Sequence, residues 1–269
     1  HCASNARESS SFFDLRNIVY NNAMIGATIL ELGILHGMQR FVFTSSMSVY
    51  GEGSGKPPFD EKAKRAAIDP YGVCKSGLEM MIEQLAPVHG FSYVILRPHN
   101  CFGPNQSLQD PFRNLVGIFL NRILRGEPIY IFGNGHTRAL SYVEDFLPCM
   151  IRAILNDSLD KEIINLGGKE SATIDEIAQV VIDQFPEKKV EVIHTEPRYG
   201  EVPHAFSTFR RSEELLGYEE RVGWKSGIER MANWAKKYAP NGKSWRFSPL
   251  ALPTKEMPEP WRILHGMKD

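Results

Sequence analysis

Two short, uninterrupted apolar runs, Phe41-Val42-Phe43-Thr44 and Tyr93-Val94-Ile95-Leu96, constrain this chain more than any other feature. Both are too short for helices and lack polar alternation, so each reads as a strand buried on both faces. Helical periodicity precedes them. Leu15, Ile18, Val19, Ile25, Ile29 and Leu32 form a stripe in a helix predicted over 12–37. A second helix is predicted from Pro70-Tyr71, with Tyr71, Lys75, Leu78, Ile82 and Leu85 on one face. Buried strands alternating with amphipathic helices predict an α/β fold whose parallel sheet is covered on both sides. After Pro98 the loops lengthen. Helices are expected near 112–125, 143–156, 174–185 and 225–238, with a short strand over 129–132, which predicts a smaller, interleaved second lobe. Ser244 to Asp269 carries Pro249, Pro253, Pro258 and Pro260 and reads as a surface tail.

Charge and cysteine usage narrow the function. Lys and Arg number 31 against 32 Asp and Glu, a net charge of −1, which argues against a nucleic-acid partner. No uninterrupted apolar run of about 18 residues occurs, so no membrane partner is expected. Cys2, Cys74, Cys101 and Cys149 are scattered without a C-x-x-C pair, which points to a reducing, cytoplasmic compartment and offers no metal site.

Tyr71 and Lys75 are one helical turn apart on the inward face, where a solvated lysine would not sit. A nearby ammonium stabilises a phenolate, so the pair predicts a tyrosine acidified from about 10 towards neutrality and able to act as general base and then general acid. The first strand ends in Ser45-Ser46-Met47-Ser48, and ligands of open parallel sheets bind at such carboxyl ends. Ser46, Tyr71 and Lys75 suit moving a proton on or off a sugar or alcohol hydroxyl while a hydride leaves the same carbon. No side chain accepts a hydride, so a cofactor is required. Asn22 lies between Val19 and Ile25 on the apolar stripe. Its buried amide must find partners, with loop backbone and cofactor contact as equal alternatives. Asn114-Leu115 opens a helix, where free N–H groups favour an anionic diphosphate.

The runs FVFTSSMSVYG, PYGVCK and LRPHNCFGP, in order and at family spacing, resemble the extended short-chain dehydrogenase/reductases of the NAD-dependent epimerase/dehydratase family, and among them UDP-glucose 4-epimerases. The similarity runs from His1 to about Trp234. It implies a partial Rossmann-type, doubly wound parallel sheet over 1–98, with later strands from 135–165, a nucleotide-sugar lobe over 99–240 and a Pro-rich tail over 241–269. It implies NAD as cofactor, contacted at Asn22, Ser45, Tyr71, Lys75 and Pro98, with Ser46, Tyr71 and Lys75 catalytic. A UDP-sugar is implied at Ser46, Asn100, Asn114, Leu115, Tyr130, Phe132, Arg138, Arg198 and Glu201, the two arginines on the diphosphate and Glu201 on the ribose. The activity implied is C4 epimerisation through a 4-keto sugar, in a homodimer joined by cofactor-domain helices such as 12–37. Sugar 4,6-dehydratases carry an Asp-Glu pair directly after the catalytic hydroxyl. Met47 and Ser48 stand there, which favours epimerisation. Ala139 departs from the family's commoner Asp after Arg138, and Ala205 falls where side-chain size limits the sugar pocket.

The family's opening strand and G-x-x-G-x-x-G turn do not occur, since the chain opens with His1-Cys2-Ala3-Ser4, matching a turn after the fourth strand. About 70–80 residues are thus expected to be lacking, some two βαβ units. Gly51 to Lys56 is Gly-rich, but Pro57-Pro58 follow, so it reads as loop rather than phosphate site. The alternatives are a truncated, non-catalytic nucleotide-sugar-binding remnant and a one-way nucleotide-sugar dehydrogenase or reductase.

Overall fold

The computed structural model describes residues 1–52 and 56–267. Gly53, Ser54 and Gly55 of the Gly-rich loop lie outside the described residues. The chain begins with a helix α1 (Leu15–Leu35), a strand β1 (Arg40–Thr44), a helix α2 (Pro70–His89) and a strand β2 (Ser92–Pro98). β1 and β2 pair in parallel, Arg40 opposite Ser92 through Thr44 opposite Leu96. A later strand β3 (Glu162–Leu166) pairs in parallel on the other side of β2. Phe41, Phe43, Tyr93 and Ile95 pack under α1 and α2, while Val94, Leu96, Ile164 and Leu166 pack on the opposite face. Both faces of the strands are therefore covered, as their unbroken apolar runs require, and the fold is a Rossmann-type α/β fold. His1 extends the sheet beyond β1: its amino group donates to the Val42 carbonyl at 2.7 Å and its carbonyl accepts from the Thr44 N–H at 3.1 Å.

The capping chemistry of α2 fixes where the site begins. Asp69 accepts from the Gly72 N–H at 2.9 Å, Pro70 occupies the first turn, and Gly90 closes the helix at φ 72°. A Cβ on Gly72 would lie 2.7 Å from the Ser48 carbonyl oxygen, so this glycine lets the start of α2 press against the turn after β1.

The stripe on α1 is corrected by the structure. Ile18 and Leu30 are buried, with Asn22 and Gly26 on the same side, whereas Leu15, Val19 and Leu32 are exposed. A π-helical stretch over Val19–Met24 shifts the phase of the residues beyond it, carrying Leu30 inward and Leu32 outward, while Leu15 and Val19, before it and at its start, flank the buried Ile18. With 21 residues and a mean hydropathy of 1.4, α1 is long and apolar enough to cross a membrane by length and composition. Its packing on α2 makes it one layer of the domain.

The second lobe is built around a separate core. Helices α3 (Leu115–Arg125), α4 (Ile174–Ile182) and α5 (Gly223–Tyr238) bury Val116, Leu120, Ile177, Val181, Ile228 and Met231 together. A short strand, Ile129–Phe132, sends Ile129 and Ile131 into this core and leaves Tyr130 and Phe132 on its other face. The stretch expected to be a surface tail is instead structured. Leu250, Met257 and Trp261 are buried against Phe13 and Phe112, because Pro258 and Pro260 start a short helix, Glu259–Leu264, that carries Trp261 inward.

Candidate active site

A cleft of 570 Å³ lies between the carboxyl ends of β1 and β2 and the second lobe. Ser45 and Ser46 reach it from the end of β1, Tyr71 and Lys75 from α2, and Pro98 and Asn100 from the end of β2. Asn114, Leu115, Tyr130, Phe132, Arg138, Arg198, Glu201 and Ala205 line the other wall. Asn22 stands apart. Its amide is occupied by the Ser4 hydroxyl at 2.5 Å, the Asn5 carbonyl at 3.2 Å and the Ile18 carbonyl at 2.9 Å, so it organises the N-terminal loop. Of its two expected partners, the structure shows loop backbone.

Ser46 is extended and caps the short turn after β1. Its hydroxyl oxygen accepts from the Ser48 N–H at 3.1 Å and pairs with the Ser48 hydroxyl at 2.9 Å. Lys75 is buried, its Nζ donating to the Thr44 carbonyl at 2.8 Å and standing 4.9 Å from the Phe43 ring centroid and 5.8 Å from that of Tyr71. Burial pushes the ammonium down to about 8. The acidified phenol expected from sequence is not what the structure holds. Burial raises the Tyr71 phenol well above its ordinary value, the Ser46 and Ser4 hydroxyls offsetting this only in part. Lys75 is directed at the Thr44 carbonyl, so desolvation of the phenol outweighs the neighbouring charge.

Asn100 has φ 24°, in the left-handed region that asparagine tolerates better than most residues. Its Nδ2 donates to the Ala139 carbonyl at 3.0 Å. Asn114 caps α3, its Oδ1 accepting from the Val116 N–H at 3.2 Å. Glu201 joins both arginines: Arg198 donates to it in a fork at 3.1 and 2.8 Å, and Arg138 at 3.1 Å. Burial would raise this carboxyl, but Arg198 and then Arg138 outweigh it and hold it below the usual carboxylate range. The two guanidinium groups are thus gathered on one wall of the cleft, where an anion would meet both.

Sequence reasoning missed the support beneath Ser45. Glu79, two turns beyond Tyr71, is fully buried and accepts from the Ser45 hydroxyl at 2.5 Å, from Arg97 at 3.0 and 2.6 Å and from Arg65 at 2.7 Å. Arg97 also donates to the Tyr50 hydroxyl at 2.8 Å, which donates to Asn165 at 2.6 Å. The i, i+4, i+8 spacing of Tyr71, Lys75 and Glu79 was the available signal.

A strand-end serine, a buried Tyr–Lys pair one turn apart and a facing wall of arginines on a Rossmann-type sheet define a short-chain dehydrogenase/reductase-type enzyme. The sequence model of the NAD dependent epimerase/dehydratase family matches residues 1–167, and the chain belongs to this family. A Methanocaldococcus jannaschii protein, described provisionally as a UDP-glucose 4-epimerase, is 30% identical over 227 residues, covering 82% of this chain and 72% of that protein. A UDP-N-acetyl-alpha-D-glucosaminuronate decarboxylase of Bacillus cytotoxicus is 27% identical, covering 76% of this chain and 65% of its own length. The Thermotoga maritima UDP-glucose 4-epimerase solved with UDP-glucose superimposes with a TM-score of 0.80 at 28% identity, covering 87% of this chain and 75% of that one. The Thermus thermophilus UDP-glucose 4-epimerase solved with NAD gives 0.80 at 25% identity, covering 88% and 76%.

The family's cofactor is NAD. The residues at the strand end suit its nicotinamide ribose: Lys75 is a buried cation bonded to one carbonyl, beside Cys2, Ser4, Thr44 and Pro98 on the cleft wall. Among the described residues no group of three or more His, Cys, Asp or Glu side chains could hold a metal ion.

Proposed function

We propose that this chain carries the proton-transfer and substrate-binding residues of an NAD-dependent UDP-sugar 4-epimerase of the UDP-glucose/UDP-galactose type. One observation carries the reading: Ser46, Tyr71 and Lys75 meet at one end of the cleft whose other wall holds Tyr130, Phe132, Arg138, Arg198 and Glu201. NAD, when bound, supplies the hydride acceptor and donor. Tyr71 takes the proton of the sugar 4-hydroxyl and later returns it, Ser46 orients that hydroxyl, and Lys75 stabilises the charged phenolate. Arg138 and Arg198 bind the diphosphate, which displaces part of their pairing with Glu201 and frees that carboxylate for the ribose. Tyr130 and Phe132 face the uracil, while Asn100, Asn114 and Leu115 line the sugar and diphosphate path. Met47 and Ser48 offer no acid for chemistry at C5 or C6, which favours epimerisation over the dehydratase and decarboxylase reactions of relatives. A one-way C4 dehydrogenase or reductase would use the same three residues. The four cysteines are free, consistent with a cytoplasmic location.

Calorimetric titration tests the binding half. UDP and UDP-glucose are expected to bind with exothermic, salt-sensitive isotherms, and CDP more weakly. The turnover half is tested by incubating the protein with NAD and UDP-galactose, with UDP-glucose as the expected product. A 4-keto-6-deoxy sugar as product, or no uridine nucleotide bound at all, would overturn the assignment.

We place a homodimer contact on the exposed apolar face formed by Leu15, Val19 and Met24 of α1 and Val73, Met80 and Val88 of α2. Light scattering after gel filtration should give a dimer mass, and Met80→Glu should shift it to monomer without loss of UDP binding. A monomeric parent chain would remove this contact.

A further inference from the structure

Residues 244–267 form a strap that runs along the second lobe and the loop before α1 and ends at the cleft. The Arg246 N–H donates to the Gln109 carbonyl at 2.7 Å, and the Trp245 indole N–H to Glu127 at 3.0 Å. Further on, the Leu252 N–H donates to the Phe13 carbonyl at 2.8 Å, and the Leu250 N–H to His265 Nε2 at 3.1 Å. The strap is therefore fastened to the second lobe and to the loop before α1. Its short helix ends against the cleft: Pro260 and Trp261 line it together with Phe132 and Arg198.

Trp261 is held edge-on by Phe112, with centroids 5.1 Å apart at 81°, and by Phe13, at 6.2 Å and 89°. On its cleft side it meets Phe132 at 6.3 Å and 61°. The Arg198 guanidinium lies against both rings, 4.5 Å from the Phe132 centroid and 5.7 Å from that of Trp261. Phe132 and Trp261 thus meet edge to face with a cation against both, an aromatic and cationic end wall suited to a flat ring joined to an anion. Trp261 therefore belongs both to the buried cluster of Phe13, Phe112, Leu250 and Met257 and to the cleft wall.

We propose that Trp261 is a substrate-binding residue, delivered by the C-terminal strap to close the aromatic end of the cleft over the base of a nucleoside diphosphate. This rests on the nucleotide-sugar reading of the site and adds to it a wall from outside the sheet and the second-lobe core. The strap thereby makes affinity for the base depend on a segment that contacts no reacting atom.

Titration of the full chain with UDP and with inorganic pyrophosphate tests the assignment. Trp261→Ala should weaken UDP binding about tenfold or more, the range that base–aromatic contacts reach on alanine substitution. Trp261→Phe should recover most of the loss, and pyrophosphate affinity should change far less than UDP affinity. Met257→Ala controls for damage to the strap, because Met257 is buried in the same cluster but does not line the cleft. It should lower thermal stability while leaving UDP affinity within about twofold of the parent. Equal UDP affinity in the parent and Trp261→Ala would overturn the proposal and leave the epimerase reading intact. Equal losses in Trp261→Ala and Met257→Ala would reduce Trp261 to packing and also overturn it. Failure of the parent chain to bind UDP would remove the underlying reading and this inference with it.

Discussion

Replacing Glu79 with Gln is expected to destabilise the fold by about 3–5 kcal/mol, the range found when one member of a buried ion pair is removed. Glu79 and Arg97 are essentially without solvent contact, at 0% and 1% exposure, so neither has water to turn to. The Gln amide leaves the Arg97 guanidinium buried with a neutral partner and the Tyr50 oxygen. Arg97→Leu should be somewhat milder, because Glu79 keeps Arg65 at 2.7 Å and the Ser45 hydroxyl at 2.5 Å. The double variant Glu79→Leu/Arg97→Leu should recover much of the loss, since no unpaired charge remains inside. Denaturant melts of the three variants check this. A loss of unfolding free energy below about 1 kcal/mol in Glu79→Gln would show that the pair is not structural. Acid titration gives the same test another sign. Burial would raise the Glu79 carboxyl, but the hydrogen bonds and charge of Arg97, with Ser45 and Arg65, pull it below its ordinary value of 4.5. Its contribution is therefore fully present above pH 4.5 and is lost as pH falls through the lower, folded-state value. Glu79→Gln should flatten the acid limb of the stability curve.

The parallel sheet, α2 and the convergence on the cleft were legible because each follows from a period. β1 and β2 are apolar without interruption, and Tyr71, Lys75 and Leu78 repeat at helical spacing, so face and depth can be read before any contact is known. What escaped reading depended on geometry that no period encodes. The π-helical stretch in α1 turned Leu32 out to solvent and Leu30 in, against a stripe drawn at 3.6 residues per turn. Glu79 shares the inward face of Tyr71 and Lys75, but its partner Arg97 lies 18 residues further on, so the pair exists only in three dimensions. The chain after Ser244 has the proline content of a tail, yet Pro258 and Pro260 initiate the helix that buries Trp261. The Tyr–Lys motif gave the location of the phenol and ammonium but misjudged their balance, because a spacing in sequence says nothing of how completely the fold removes water.

That balance sets the largest expected effect on turnover. Tyr71→Phe should lower kcat by at least about 10²-fold, the lower end of what a positioned acid–base group contributes, while UDP affinity stays within about twofold. The split follows from position: the phenol stands at the strand end with Ser46, whereas the arginines and aromatic rings that would hold the nucleotide line the other wall. Lys75→Met should give a comparable loss by a different route. A phenol raised by burial cannot form a phenolate near neutral pH without a cation to hold the charge, and Lys75 is the cation that approaches its ring, at 5.8 Å. Lys75 must be protonated for that task, and burial has lowered it to about 8 from 10.5. Activity should therefore fall as pH rises through about 8. Stability should move the opposite way over the same interval, because between about 8 and 10.5 the unfolded lysine binds a proton that the folded one does not. A rate-against-pH profile measured beside urea midpoints from pH 7 to about 10 separates the two trends. Retention of more than about a tenth of the parent kcat by Tyr71→Phe would move the proton transfer to another group, and the Ser46 hydroxyl, which bonds Ser48 and lines the same end of the cleft, would be the next residue to replace.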